Sequence, residues 1–166
     1  MLNYKDLHNS KYDSYDIEEL CLMRNDYEVQ KFLNINSFNI QDYSQTETWI
    51  RNKIEVKKIV LLSYFKSDFV GYCFAGDHLL GDGIKKGYEL GFAIKRDFWN
   101  RGFSSKLINK VIDKAKEKGC KFVWARVFSD NYTCIRLLKK LSFKEVGNWK
   151  SITLLDSDLC FYQLNI

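Results

Sequence analysis

The sequence predicts an α/β domain in which helices flank a mixed sheet, and three observations lead there. Apolar, β-branched runs of strand length occupy the middle of the chain, Ile59 to Phe65 and Phe69 to Ala75. A strand, an amphipathic helix and a second strand then follow one another between Tyr88 and Phe128, the order of a βαβ unit. The 166 residues hold no proline, and neither a low-complexity tract, a repeat nor a Gly/Ser linker divides them. One domain over residues 1–166 is therefore expected, long enough to bury about two-thirds of its unfolded surface.

The first part of the chain is the least periodic. It reads as a helix from Asp16 to Asn25, a short one from Glu28 to Leu33, and a third from Ser44 to Val56, with Ser44 as N-cap and Glu47 closing a capping box. The pattern changes at Lys58: Ile59 to Phe65, a polar turn at Lys66, Ser67 and Asp68, and Phe69 to Ala75 make an antiparallel hairpin. A turn at Gly81, Asp82 and Gly83 leads to a strand from Tyr88 to Ile94. In Ser104 to Lys118, Leu107, Ile108, Val111, Ile112 and Ala115 mark one helical face, and Gly119 ends the helix. Cys120 to Phe128 is apolar on both faces except at Lys121 and Arg126, as in a central strand covered on both sides. The strands flanking the helix should be parallel, with a right-handed crossover. A second helix, Asn131 to Leu141, precedes strands at Phe143 to Lys150 and Leu159 to Leu164.

Composition narrows the function classes. With 46% hydrophobic and 28% charged residues the chain is globular rather than disordered. Its longest apolar stretch, Ile59 to Phe65, is interrupted by Ser63 and is far short of the roughly 20 residues that span a bilayer. The opening residues Met1 to Asp6 lack a signal-peptide pattern, so a cytoplasmic location without membrane association is expected. The cysteines at 21, 73, 120, 134 and 160 are odd in number and widely spaced, which suits buried thiols rather than a disulfide framework. His8 and His78 have no nearby partners in sequence, and no metal is expected. The net charge of +5, with lysines at 57 and 58 and again at 110, 114, 116 and 118, reads as a solvated face. It would attract a polyphosphate cofactor, whereas nucleic acid calls for a denser patch with stacking aromatics and is not an expected partner.

Two places carry chemistry. Phe98, Trp99, Asn100, Arg101, Gly102, Phe103, Ser104 and Ser105 lie between a strand and a helix N-terminus, whose unpaired amides and positive dipole end form an anion site. Gly102 permits close backbone approach, Arg101 adds charge, and Ser104 or Ser105 can cap the helix or donate to a phosphate. The same residues also suit a plain strand-to-helix turn. Glu89 lies inside a strand, where an unpaired carboxylate is costly to bury. Amines are protonated at neutral pH, with reference pKa values of about 8 for an α-amino group and about 10.4 for lysine, so acyl transfer to one benefits from a base such as Glu89. Alternatively Glu89 sits near an edge and pairs with a surface lysine or arginine.

In order, Glu89 to Ile94, Phe98 to Ser104 and Asn131 to Phe143 resemble the GNAT superfamily of acetyltransferases, closely over Tyr88 to Phe143. The spacing is similar to that of the bacterial ribosomal-protein N-terminal acetyltransferases. The resemblance implies a mixed, mostly antiparallel sheet with a central, splayed parallel strand pair, and acetyl-CoA as cosubstrate. It implies that the pantetheine arm pairs with Phe92, Ala93 and Ile94, whose N–H groups would also polarise the thioester carbonyl. The pyrophosphate would meet Arg101, Gly102, Phe103, Ser104 and Ser105, and Asn131 would contact the cofactor.

Departures from the family pattern are Asn100 for a glycine, Ser104 for glycine or alanine, and Ser142 for the glycine ending the second helix. Leu138 stands where many relatives place a thiolate-protonating tyrosine, and Cys134 stands where the subgroup often has a serine. Cys134 is thus either a weak thiol donor or a small buried hydrophobe. The resemblance implies direct transfer to a primary amine, either a protein N-terminus or a small molecule, by a monomer or homodimer. Arg24, Asn25, Asp26, Glu28 and Val29 are similar to a stretch shared with enzymes acting on ribosomal proteins and on nucleotide-linked amino sugars; Arg24 alternatively pairs on a helix surface. A CoA-binding domain without turnover is the non-enzymatic alternative.

Overall fold

The computed structural model describes residues 1–33, 40–77, 87–149 and 158–166. In chain order the elements are β1 (Leu2–Asp6), α1 (Ser14–Asn25), α2 (Tyr27–Gln30), α3 (Tyr43–Val56), β2 (Ile59–Phe65), β3 (Asp68–Gly76) and β4 (Gly87–Ile94). A 3-10 turn (Arg96–Phe98) leads to α4 (Phe103–Glu117), β5 (Phe122–Phe128), α5 (Tyr132–Lys140), β6 (Lys144–Trp149) and β7 (Leu159–Asn165). The strands form one seven-stranded sheet in the order β1-β2-β3-β4-β5-β7-β6. Every pairing is antiparallel except β4 with β5, which is parallel. The mixed sheet with a central parallel pair is as the sequence implied.

The alternation of side chains along a strand explains why β2 is apolar almost throughout. Ile59 and Leu61 face one core, with Leu107, Ile108, Val111 and Ile112 of α4. Val60 and Leu62 face the other, with Ile17 and Leu20 of α1 and Ile50 of α3. Both faces being covered, neither set could be polar.

The structure corrects several expectations. Strand β1 went unread because only Leu2 of its residues is buried, leaving no apolar alternation to find. It is held by pairing with β2 and by the ion pair of Asp6 with Lys114 at 2.8 Å, so Lys114 does not belong to a purely solvated face. The cap of α3 is Asp42 rather than Ser44, and Gln45 rather than Glu47 completes the box, because Asp42 is the last extended residue before the helix. Glu47 instead accepts from the Tyr12 hydroxyl at 3.1 Å. Strand β5 is fully buried on one face, at Val123, Ala125 and Val127; on the other, Phe122 and Trp124 are half-buried, Arg126 is exposed and Phe128 is buried. Ser104 and Ser105 lie within the first turn of α4 and do not cap it; Gly102 is its N-cap, without a side-chain bond. The expected turn at Gly81, Asp82 and Gly83, like His78, lies outside the described residues.

All five cysteines are free, with Cys73 and Cys120 buried and Cys21, Cys134 and Cys160 half-buried. Among the described residues no helix is long and apolar enough to cross a membrane, and no His/Cys/Asp/Glu group is arranged to hold a metal ion.

Helices α4 and α5 end alike. In each, the residue after the C-cap donates to the carbonyl three back and its successor to the carbonyl five back: Gly119 to Lys116 and Cys120 to Ala115, Ser142 to Lys139 and Phe143 to Leu138. Both pivot residues have positive φ, 75° at Gly119 and 67° at Ser142. Serine is strained there by its Cβ, whereas glycine is not. Ser142→Gly should therefore raise stability by about 0.5–1 kcal/mol after the entropy of the unfolded glycine is deducted, read as a higher denaturation midpoint at unchanged m-value.

Candidate active site

The β4–β5 ladder stops early. Its rungs are Gly87 with Phe122, Tyr88 with Val123 and Glu89 with Trp124, yet β4 runs on to Ile94 and β5 to Phe128. Beyond Glu89 the strands part, and a cleft of about 380 Å³ is lined from both sides by Leu90 to Ile94 and Ala125 to Phe128. On its other edge β4 stays paired with β3 along this length. The backbone groups of residues 90–94 that face β5 thus have no strand partner, an arrangement tolerated only where something else bonds to them.

The loop after β4 fixes one end of the cleft. The Trp99 indole Nε1 donates to the Ile94 carbonyl at 2.7 Å, folding the loop back over the strand end. Asn100 has a φ of 59° and Gly102 of 73°, both left-handed, and these turn the chain into α4. The first-turn amides of α4 have no side-chain cap, and a Cβ on Gly102 would meet nothing within 4 Å.

Of the residues expected to bind a cofactor, Phe92, Ala93, Ile94, Ser104 and Asn131 line the cleft, as do Glu89 and Cys134. Arg101, Gly102, Phe103 and Ser105 do not. Phe103 is buried, its ring 5.2 Å from that of Phe65 and 5.9 Å from that of Phe98, so its side chain anchors the helix start and only its N–H is available to a ligand. Arg101 is exposed, its guanidinium 5.4 Å from the Phe98 ring centre. The Asn131 Oδ1 accepts from the Cys134 N–H at 3.1 Å and caps α5, which leaves its amide Nδ2 as the donor it can offer.

Five residues of strand, about 17 Å at the usual rise, separate Glu89 from Ile94 at the other end. Glu89 is buried, not near an exposed edge. Its Oε1 accepts from Arg126 Nε at 2.8 Å, with the same guanidinium's second contact also at 2.8 Å, and Lys57 Nζ stands 3.5 Å from Oε2. Lys57 was expected on a solvated face; its side chain is only 9% exposed, laid over Phe74 and against Glu89. Arg24 likewise does not pair on a helix surface. It is buried, stacked 3.9 Å from the Trp49 ring centre and donating to Gln41 at 3.0 Å, and burial lowers its pKa.

Burial pushes the Cys134 thiol up to about 12, so it stays protonated at neutral pH. Leu138 is wholly inside the core. The residues missed from sequence are chiefly cations. Lys53 lies on α3 and Lys57 is its C-cap, four positions on, while Arg126 interrupts an apolar strand; the register of β4 on β5 brings Arg126 to Glu89, and the packing of α3 brings Lys57 there.

The description Acetyltransferase (GNAT) family belongs to the family model that matches residues 22–143. The uncharacterized N-acetyltransferase p20 of Bacillus licheniformis is 28% identical over 144 residues, covering 82% of this chain and 78% of the relative. A ribosomal-protein-alanine N-acetyltransferase from Brucella melitensis superposes with a TM-score of 0.81 at 21% identity, over 100% of this chain and 99% of that one. YncA of Salmonella typhimurium, solved with its cofactor acetyl-CoA, superposes with a TM-score of 0.81 at 22% identity, over 99% and 94%. The two structural likenesses are likenesses of fold.

Proposed function

The chain belongs to the acetyltransferase (GNAT) family, whose members use acetyl-CoA, and from that premise we propose that it moves the acetyl group to a primary amine by direct attack. One observation supports this most: a strand edge from Leu90 to Ile94 that has no strand beside it, with only the Ile94 carbonyl taken by Trp99, leads to a helix N-terminus without a side-chain cap. An extended amide-bearing arm suits the first and a pyrophosphate the second. Acetyl-CoA supplies the acetyl group as an activated thioester. The N–H groups among Phe92, Ala93 and Ile94 hold the arm and polarise the carbonyl. The first-turn amides from Gly102 to Ser105, with the Arg101 charge, hold the phosphates, and Asn131 Nδ2 donates beside them.

As the new C–N bond forms and the C–S bond breaks, the amine gives up a proton and the sulfur gains one. Glu89, lining the cleft, takes the amine's proton through water, its side chain positioned by Arg126 and Lys57. Cys134, held protonated, is no nucleophile; it stands in the cleft wall as a thiol able only to donate. The acceptor is a protein N-terminus or a small molecule, and the family and the N-acetyltransferase name of the p20 relative support an amine without choosing between them.

The test is calorimetric binding of acetyl-CoA, then thiol release with a panel of peptide N-termini, amino sugars, amino acids and polyamines. Binding and amine-dependent release are expected. Intact mass after acetyl-CoA alone should be unchanged, whereas an acetyl adduct on Cys134 would overturn direct transfer. Tight binding with no release for any amine would mean a CoA-binding domain without turnover.

A further inference from the structure

Among the described residues, the acceptor end of the cleft carries more positive charge than its carboxylates can offset. Lys53, Lys57 and Arg126 all line it. Of the two carboxylates in the lining, Glu28 stands 2.6 Å from Lys31, and Glu89 is shared between Arg126 and Lys57. Lys53 is left over. Its Nζ lies 4.6 Å from the Phe74 ring centre and 5.7 Å from that of Trp49, and among the described residues it pairs with no acid. Cation–π contact accounts for where its stem packs, but not for a half-buried ammonium set among other cations. Burial, and then Lys57, push its pKa down; Glu89 pulls the other way, and Arg24 and Arg126 add to the lowering. The pyrophosphate site proposed above lies at the opposite end of β4, so the phosphates of the cosubstrate do not answer this charge.

We propose that the acceptor is a small amine bearing an anionic group, a carboxylate or a phosphate, which Lys53 binds together with Lys57 and the outer edge of Arg126. This rests on the transferase reading and narrows it. A carboxylate or phosphate brought here gains charge-assisted hydrogen bonds in a site walled by Tyr72 and Phe74, where such bonds are strong. The same cations disfavour a protonated amine nearby and so hold the acceptor nitrogen as free base, the form that attacks. A polyamine or a strongly basic peptide would enter against the charge.

The experiment compares matched amines in the full chain with saturating acetyl-CoA. Amino acids are set against their carboxamides, amino-sugar phosphates against the free amino sugars, and polyamines serve as cationic controls. The anionic member of a pair is expected to have a kcat/KM about 10- to 100-fold higher, and the carboxylate and phosphate arms tell which anion is taken. Lys53→Met, which keeps the apolar stem, should erase most of that advantage through KM, and Lys53→Arg should restore much of it; acetyl-CoA affinity reports that the fold is intact. Neutral or cationic amines used as well as anionic ones, or Lys53→Met lowering every amine alike, would overturn the proposal while leaving the transferase standing. No thiol release with an amine of any charge would instead overturn the transferase reading, and this one with it.

Discussion

Glu89→Gln should lower kcat about 10²-fold while acetyl-CoA affinity changes little. The carboxylate reaches the cleft from a strand position that the parallel rung with Trp124 fixes, and Arg126 and Lys57 hold both its oxygens. Glutamine fills the same space but cannot accept the proton that the amine must lose. In the variant the rate should climb with pH as the amine deprotonates, because no carboxylate is left to take its proton; the wild-type rate should climb less. Steady-state kinetics over pH, beside calorimetric binding of acetyl-CoA as a check on folding, gives the answer. A variant with undiminished kcat would make Glu89 a tether for the cations and nothing more.

Gly102→Val should weaken acetyl-CoA binding by at least about 10²-fold, the equivalent of losing two charge-assisted hydrogen bonds at about 1.5–3 kcal/mol each. The φ of 73° suits glycine, and a β-branched residue there shifts the loop out of the left-handed region. The first-turn amides of α4 then no longer converge. Since an added Cβ meets no atom within 4 Å, the fold itself should lose no more than about 1–2 kcal/mol, the left-handed strain that the loop shift relieves. Unfolding and binding should therefore separate, with a modest fall in melting temperature and a large fall in affinity. Equal affinity in the variant would place the phosphates elsewhere.

What could be read from the sequence followed how locally each signal is encoded. Strand β2 was legible to the residue because its run is apolar at every position but Ser63, and α4 to within a residue because its buried face repeats at the helical period. Strand β1 was not, since its place comes from pairing with β2 rather than from its own side chains. Around the cleft, the strand Phe92 to Ile94 and the left-handed turn at Gly102 were legible as pieces of structure, being contiguous and motif-like, while their part in binding is a proposal. The cations were not: Lys57 and Arg126 are remote in sequence from Glu89 and meet it only through the register of β4 on β5 and the packing of α3. Lysine and arginine also read as solvated by default, and for Lys57 that default failed.

The early end of the β4–β5 ladder has one further consequence. A sheet ordinarily leaves its unsatisfied N–H and C=O groups at the rim, where they can recruit the edge of another protein and must be guarded against it. Here such an edge lies in the interior, three strands or more from either rim. A folded neighbour cannot reach it; a single extended chain can. The chemistry that elsewhere invites aggregation is thus made selective by its position, admitting only what is slender enough to lie between two diverging strands.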